Sequence, residues 1–338
     1  MKVLLAYNPW NPRSPKPSSY DMKLRGSFEA AFENNPDYSY ELLHFGSEPG
    51  LINNNDDFNT ELLKRDFDIA VVAEETQFHI KLDTAKKLGK KLFVNVWDCW
   101  FAIATVPSVN FSLAYKNPRI WGEHYQPHSI KELSEYCNVL VADYGYGEIY
   151  PNVYAILNTL DTRIFNTNDV GEKTIDVGHN GSIYIEERFR YVQIFERNNV
   201  NVHYTGSKVQ NGRVFSTYMS DHDYADIFKS TKISLSFVDS VFGPRWKQRK
   251  GRVSDIASCG SFMLTTHPEV LTYKGQSWFD LGVHFDSINE HDCIDKIKYY
   301  LANDEKRETM AKAFHDKWME TCGPVAYWNQ IFKWAKDK

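Results

Sequence analysis

Apolar residues along this chain fall into short continuous runs separated by segments with helical spacing. In the first half, residues 2–7, 38–45, 66–73, 91–97 and 138–142 read as strands, those at 66–73 and 91–97 apolar enough to be buried. Between them, 20–34 carries Met22, Leu24, Phe28, Ala31 and Phe32 on one helical face, and 81–88 is a second helix. The second half repeats the logic, with strands at 173–177, 200–204, 233–237 and 262–265. Helices are expected at 186–198, 224–230, 294–301, 304–322 and 326–335, and a small-residue turn at 178–182. Strand–helix alternation of this kind predicts two doubly wound parallel sheets, an α/β architecture of two Rossmann-like domains facing a cleft. The segment 157–165 reads as the connection, giving domains 1–165 and 166–325, with a terminal helix at 326–338 packing back on the first.

Composition narrows the class. The 338 residues suffice for two cores, and 42% hydrophobic with 25% charged residues is ordinary for a soluble protein. No apolar run is long enough to span a bilayer, and the first residues run straight into a strand, so a cytoplasmic protein is expected, in the host cytoplasm if phage-encoded. Cys99, Cys137, Cys259, Cys293 and Cys322 are scattered and odd in number, which suits reduced thiols and argues against a zinc site. A net charge of −5 excludes a wholesale basic coat for nucleic acid and leaves room for a local basic cleft.

Candidate chemistry concentrates in the second half. Lys250-Gly-Arg-Val-Ser-Asp-Ile-Ala-Ser-Cys-Gly260 sets Arg252 and Asp255 three apart on one helix. Asp255 can accept from a ribose diol and Arg252 can pair with a diphosphate; the alternative is a plain surface ion pair. Gly181 and Ser182 precede a helix bearing Arg188 and Arg190, a turn that suits an anion or serves simply as a connection. Arg245, Lys247, Arg249, Lys250 and Arg252 form a basic run without an acid, fit for a diphosphate, a nucleic-acid backbone or plain solvent. Asp98 closes the apolar run 91–97, where a strand-end carboxylate can act as a general base or merely form a turn. The proline-rich loop at 8–20 overhangs the same edge of the first sheet, as a substrate loop or a connection.

On these residues the chain resembles the GT-B glycosyltransferases. The stretch from Asp176 to Ser182 with Arg188, and that from Gly251 to Gly260, look like the donor half of the spore-maturation CgeB-like transferases. They are also similar to the T-even phage β-glucosyltransferase family, which modifies hydroxymethylcytosine in DNA. That likeness weakly spans most of the chain, from the opening strand through Asp98 to Trp328, Phe332, Lys333 and Ala335. It implies Asp98 as the base of an inverting displacement, with Gly181, Ser182, Tyr184, Arg188, Arg252 and Asp255 holding the donor. Ser18, Ser19, Tyr20, Arg245, Lys247 and Arg249 would serve acceptor or phosphate.

Three positions depart from the phage pattern. Asp255 replaces a glutamate, Tyr184 an arginine, and Tyr20 a glutamate near the sugar, which leaves glucose or a pentose such as arabinose open. Lys247 stands where the retaining transferases have the first Glu of their Glu-x7-Glu pattern, which favours inversion. The resemblance thus implies a nucleotide-sugar donor, uridine-based, with or without Mg2+ or Mn2+, a double-stranded DNA acceptor and a monomer. The rivals are a CgeB-like enzyme acting on a surface polysaccharide or protein, and a non-catalytic module that binds nucleotide sugars or nucleic acid.

Overall fold

The structure is a computed structural model. It describes residues 1–11, 14–17, 21–46, 49–73, 80–96, 130–141, 150–168, 170–181, 186–205, 207–210, 213–216, 219–237, 239–240, 243–247, 251–266, 283–284 and 289–336. The chain divides into two compact units, Met1–Ile156 with Tyr327–Lys338, and Leu157–Ala326. No helix among the described residues is long and apolar enough to cross a membrane.

The first unit is built on six parallel strands: β1 (Lys2–Tyr7), β2 (Ser39–His44), β3 (Ile69–Ala73), β4 (Leu92–Val96), β5 (Asn138–Val141) and β6 (Val153–Ala155). Their order is β2-β1-β3-β4-β5-β6. β1 and β3 are apolar and buried, as strands covered on both faces must be. Helices α1 (Ser27–Phe32), α2 (Asn55–Lys64), α3 (Leu82–Leu88) and α4 (Ile130–Ser134) supply the crossovers. Phe58 and Leu62 of α2 join Leu4, Phe45, Val72 and Val94 in the core.

The apolar spacing predicts no helix at 55–64. The side chain of Asn54 caps α2 by accepting from the Asp57 amide at 2.8 Å, and one apolar pair four residues apart anchors it. The expected helix at 20–34 is instead a π-helical turn, Asp21–Gly26, running into α1.

The second unit carries β7 (Ile175–Asn180), β8 (Val202–Thr205), β9 (Thr231–Ser236), β10 (Phe262–Thr265) and β11 (Val283–His284), all parallel, in the order β8-β7-β9-β10-β11. Its helices in chain order are α5 (Glu186–Arg197), α6 (Asp221–Lys229), α7 (Arg252–Ser258), α8 (Glu290–Ala302) and α9 (Asp304–Cys322). Val177, Ile194, Ile233, Leu235, Leu264 and Ile297 form its core. Ser220 and Asp223 close a reciprocal capping box on α6.

Two expectations change here. Gly178, His179 and Asn180 lie in β7 rather than in a turn, because pairing to His203, Tyr204 and Thr205 of β8 outweighs their turn propensity. Within the basic run, Gly243–Lys247 pairs with Asp239–Ser240 as a two-stranded antiparallel ribbon, so Arg245 and Lys247 sit on a strand of their own. The last helix, α10 (Pro324–Lys336), belongs from Tyr327 onward to the first unit. Its Trp328 indole donates to the Ser27 hydroxyl at 3.1 Å, and Trp334 stacks on Tyr154 at 4.2 Å. Cys137, Cys259, Cys293 and Cys322 are buried, and burial pushes the Cys259 thiol up to about 12. Cys99 lies outside the described residues.

Candidate functional site

In both sheets the strand order reverses beside the first strand of the unit. In doubly wound sheets ligands settle just beyond the carboxyl ends of the strands at such a point. In the second unit that point lies between β7, ending at Asn180, and β9, ending at Ser236.

Gly181 leaves β7 with φ +143, a backbone value that L side chains avoid, and its amide donates to the Thr205 carbonyl at 2.7 Å. The absent side chain makes room for Arg252. A Cβ built on Gly181 would lie 1.8 Å from Arg252 Nη2 and 2.9 Å from its Cζ. Arg252 opens α7, and its Nε donates to the carbonyl of Asn180. Its Nη1 is buried and has no hydrogen-bond partner among the described residues. Burial pulls the Arg252 pKa down, and the neighbouring Tyr224 and Asp255 oppose that only in part. The guanidinium is thus a desolvated cation with one arm held and another unmatched.

Asp255 lies one turn along α7 and is only 8% exposed. It accepts the Tyr224 hydroxyl at 3.3 Å, and burial together with the Asp255 charge drives the Tyr224 pKa well above its ordinary value. The helix is buried from Val253 to Ser258, so Arg252 and Asp255 do not form an exposed surface pair. α7 ends at Cys259 and Gly260, the latter at φ +63, where a Cβ would press on Thr167 Cγ2 at 2.8 Å. Arg188 is also buried, in the first turn of α5, an unusual place for an arginine in a surface-facing helix.

Gly181, Arg252 and Asp255 are thus gathered at the carboxyl edge of the second sheet, with Tyr224 beside them. Asp98, Ser182, Tyr184, Ser18, Ser19, Tyr20 and Arg249 lie outside the described residues. In sequence, Asp98 follows β4 by two residues. Residue-by-residue reading passed over Asn180, Tyr224 and Ser236. Their signal is lateral, arising from register and burial, although a polar residue ending an apolar strand is a trace of it.

The first unit holds a second polar cluster at the edge of its own sheet. The Tyr7 hydroxyl donates to Asp21 at 2.5 Å, Arg25 pairs with Asp21 at 2.7 Å and faces Glu29 at 3.9 Å, and Tyr40 donates to Glu29. The His44 ring meets Tyr7 edge-on at 5.1 Å. No group of three or more His, Cys, Asp or Glu suited to a metal ion occurs among the described residues.

Comparison with known proteins agrees with this architecture. Residues 184–321, inside the second unit, match the family described as glycosyl transferase-like. Among solved structures, an alpha-glucosyltransferase in complex with UDP superposes with a TM-score of 0.63 at 10% identity, covering 99% of this chain and 100% of that one. An alpha-glucosyltransferase in complex with UDP and a 13-mer DNA containing a central A:G mismatch gives 0.61 at 11% identity, covering 99% of both chains. Anabaena Alr3699/HepE with UDP-glucose gives 0.53 at 11% identity and 98% of both. No curated protein sequence matches the chain. The fold is GT-B, and it resembles the glucosyltransferases of that class. With a glycosyl transferase-like second unit on that frame, the chain is a transferase-type enzyme.

Proposed function

We propose that this chain moves a sugar from a UDP-sugar to a hydroxyl, and that the hydroxyl belongs to a hydroxymethylated base in DNA. The observation that carries the donor half is the guanidinium of Arg252, seated on Gly181 at the strand-order reversal with Nη1 unmatched. A half-buried, partly unpaired cation beside a carboxylate suits a nucleoside diphosphate: the diphosphate meets Arg252 and the ribose diol meets Asp255. Arg188 adds a second positive charge to the same unit. Asp98, in the first unit, takes the proton of the acceptor hydroxyl as its oxygen attacks the anomeric carbon. The bond from that carbon to UDP breaks, and UDP leaves as an anion stabilised by Arg252. The DNA acceptor draws its support from the sequence resemblance and from neighbours in complex with DNA and UDP or UDP-glucose.

Those neighbours carry the name alpha-glucosyltransferase, and this favours a second reading in which the configuration of the sugar is retained. Incubation with a panel of sugar nucleotides and hydroxymethylcytosine-containing DNA tests both. Mass spectrometry of the nucleosides should show a hexose or pentose gain, and NMR of the product reads the anomeric configuration. An absence of any gain on DNA, with transfer to a polysaccharide or protein instead, would replace the acceptor. Undiminished transfer by Asp98→Ala would remove the assigned base.

A further inference from the structure

Parallel register aligns one polar side chain from each of four neighbouring strands at the carboxyl edge of the second sheet. Thr205 of β8 pairs with Asn180 of β7, and Ser236 of β9 pairs with Thr265 of β10. Ser234 pairs with Gly178, so Ser236 and Asn180, each two residues further on, return to the same face of the pleat. All four are buried, Asn180 at 1% and Ser236 at 0% exposure. Two members are internally satisfied: Thr205 Oγ1 donates to Asn180 Oδ1, and Thr265 Oγ1 donates to the Ser236 carbonyl at 2.9 Å. The other two polar atoms of the row, Asn180 Nδ2 and Ser236 Oγ, have no partner among the described residues.

A buried, unmatched polar atom is costly, so two on adjacent strands beside an unmatched guanidinium arm are an unfavourable arrangement for a scaffold alone. The chemistry of the set is one-sided. With Oδ1 occupied by Thr205, the Asn180 amide can only donate; Arg252 Nη1 can only donate; and the Ser236 hydroxyl can donate as well. Donors without a facing acceptor are complementary to phosphate oxygens. Asn180 links the two parts, because its carbonyl holds Arg252 Nε while its amide stands in the row.

We infer that Asn180 and Ser236 are additional donor-site residues whose side chains hydrogen-bond the phosphate oxygens of a bound nucleoside diphosphate next to Arg252. This rests on the UDP-sugar reading above. Being neutral, the two groups hold the diphosphate in place while leaving the charge to Arg252. Thr205 acts through Asn180, as the positioning residue that aims its amide.

Calorimetric titration of the full chain with UDP, and with uridine as a phosphate-free control, tests the inference. Ser236→Ala should weaken UDP about tenfold, and Asn180→Asp, which sets a carboxylate against the phosphates, about a hundredfold. In Ser236→Ala uridine affinity should stay at the wild-type value and the melting temperature at or above it, since the change removes a hydroxyl that the fold leaves unmatched. UDP affinities within twofold of wild type in folded variants would overturn the assignment. Equal losses for UDP and uridine would also overturn it, in favour of a structural role. A folded wild-type chain that binds no nucleoside diphosphate would overturn the donor reading itself. If Asn180→Asp fails to fold, Ser236→Ala decides alone.

Discussion

Two arginines at the edges of two sheets of the same construction are treated in opposite ways. In the first unit, burial works against the charge of Arg25, yet Asp21, Tyr7, Glu29 and Tyr40 outweigh it and its pKa is raised. In the second unit, burial lowers the pKa of Arg252, and Tyr224 with Asp255 does not restore it. Arg25 is compensated by Asp21 at 2.7 Å within its own π-helical turn, and its Nε, although without a hydrogen bond among the described residues, faces the Glu29 carboxylate at 3.9 Å. Arg252 donates to a main-chain carbonyl and leaves Nη1 over. A cation whose charge is matched by acids of its own turn serves the fold; under the proposed function, the one short of a facing acid is the one that takes an anion.

The largest test removes the open arm. Arg252→Ala should lower kcat/KM for the sugar nucleotide by about 100-fold or more, with little change in the urea midpoint. A loss of stability without loss of turnover would erase the contrast. Next, Asp21→Ala should cost about 1–3 kcal/mol in urea unfolding, because the buried Tyr7 hydroxyl loses its acceptor and Arg25 its partner. Its affinity for UDP should match wild type; a matching loss would mean that the closed network also serves the donor.

A finer probe is Gly181→Ala, whose methyl falls on the seat of the guanidinium. UDP affinity should drop about tenfold while circular dichroism stays unchanged, and unaltered binding would show that Arg252 works from elsewhere. The smallest effect concerns pH. Burial lowers the His44 pKa, with Arg25 adding to this and Asp21 opposing it. Below about 6.5 the unfolded chain therefore takes up the proton more readily than the folded one. Stability contributed above that pH is lost as pH falls toward the folded value. The drop in urea midpoint from pH 7.5 to 5.0 should shrink in His44→Gln; an equal drop would put the titration on another group.

Much of this frame is legible in the chain. Phe262–Thr265 and Asp304–Cys322 fall on their expected bounds, because an apolar run and a long, weakly amphipathic stretch with acidic residues in its first turn are local signals. Arg252 and Asp255 are visible as a pair at helical spacing, and Gly181 as a small residue before a helix. Three residues of the expected turn at 178–182 lie in β7, because a glycine and polar side chains sit equally well in a strand whose neighbours supply the ladder. Tyr224 lacks any local mark that sets it apart from ordinary helix residues, and Asn180 and Ser236 have only their place at the end of a strand.

The chain by itself determined which groups exist and which elements carry them: a glycine after β7, an arginine opening α7, an aspartate one turn on. Tertiary structure decided which groups are matched and which are left open. Arg252 meets the Asn180 carbonyl from 72 positions away, and Asn180 meets Thr205 from 25 positions away. Strand register brings such residues within about 5 Å, and burial withdraws the water that would otherwise satisfy them. Hydrogen-bond matching and desolvation are properties of neighbours in space, so a site defined by unmatched donors takes its character only in the folded chain.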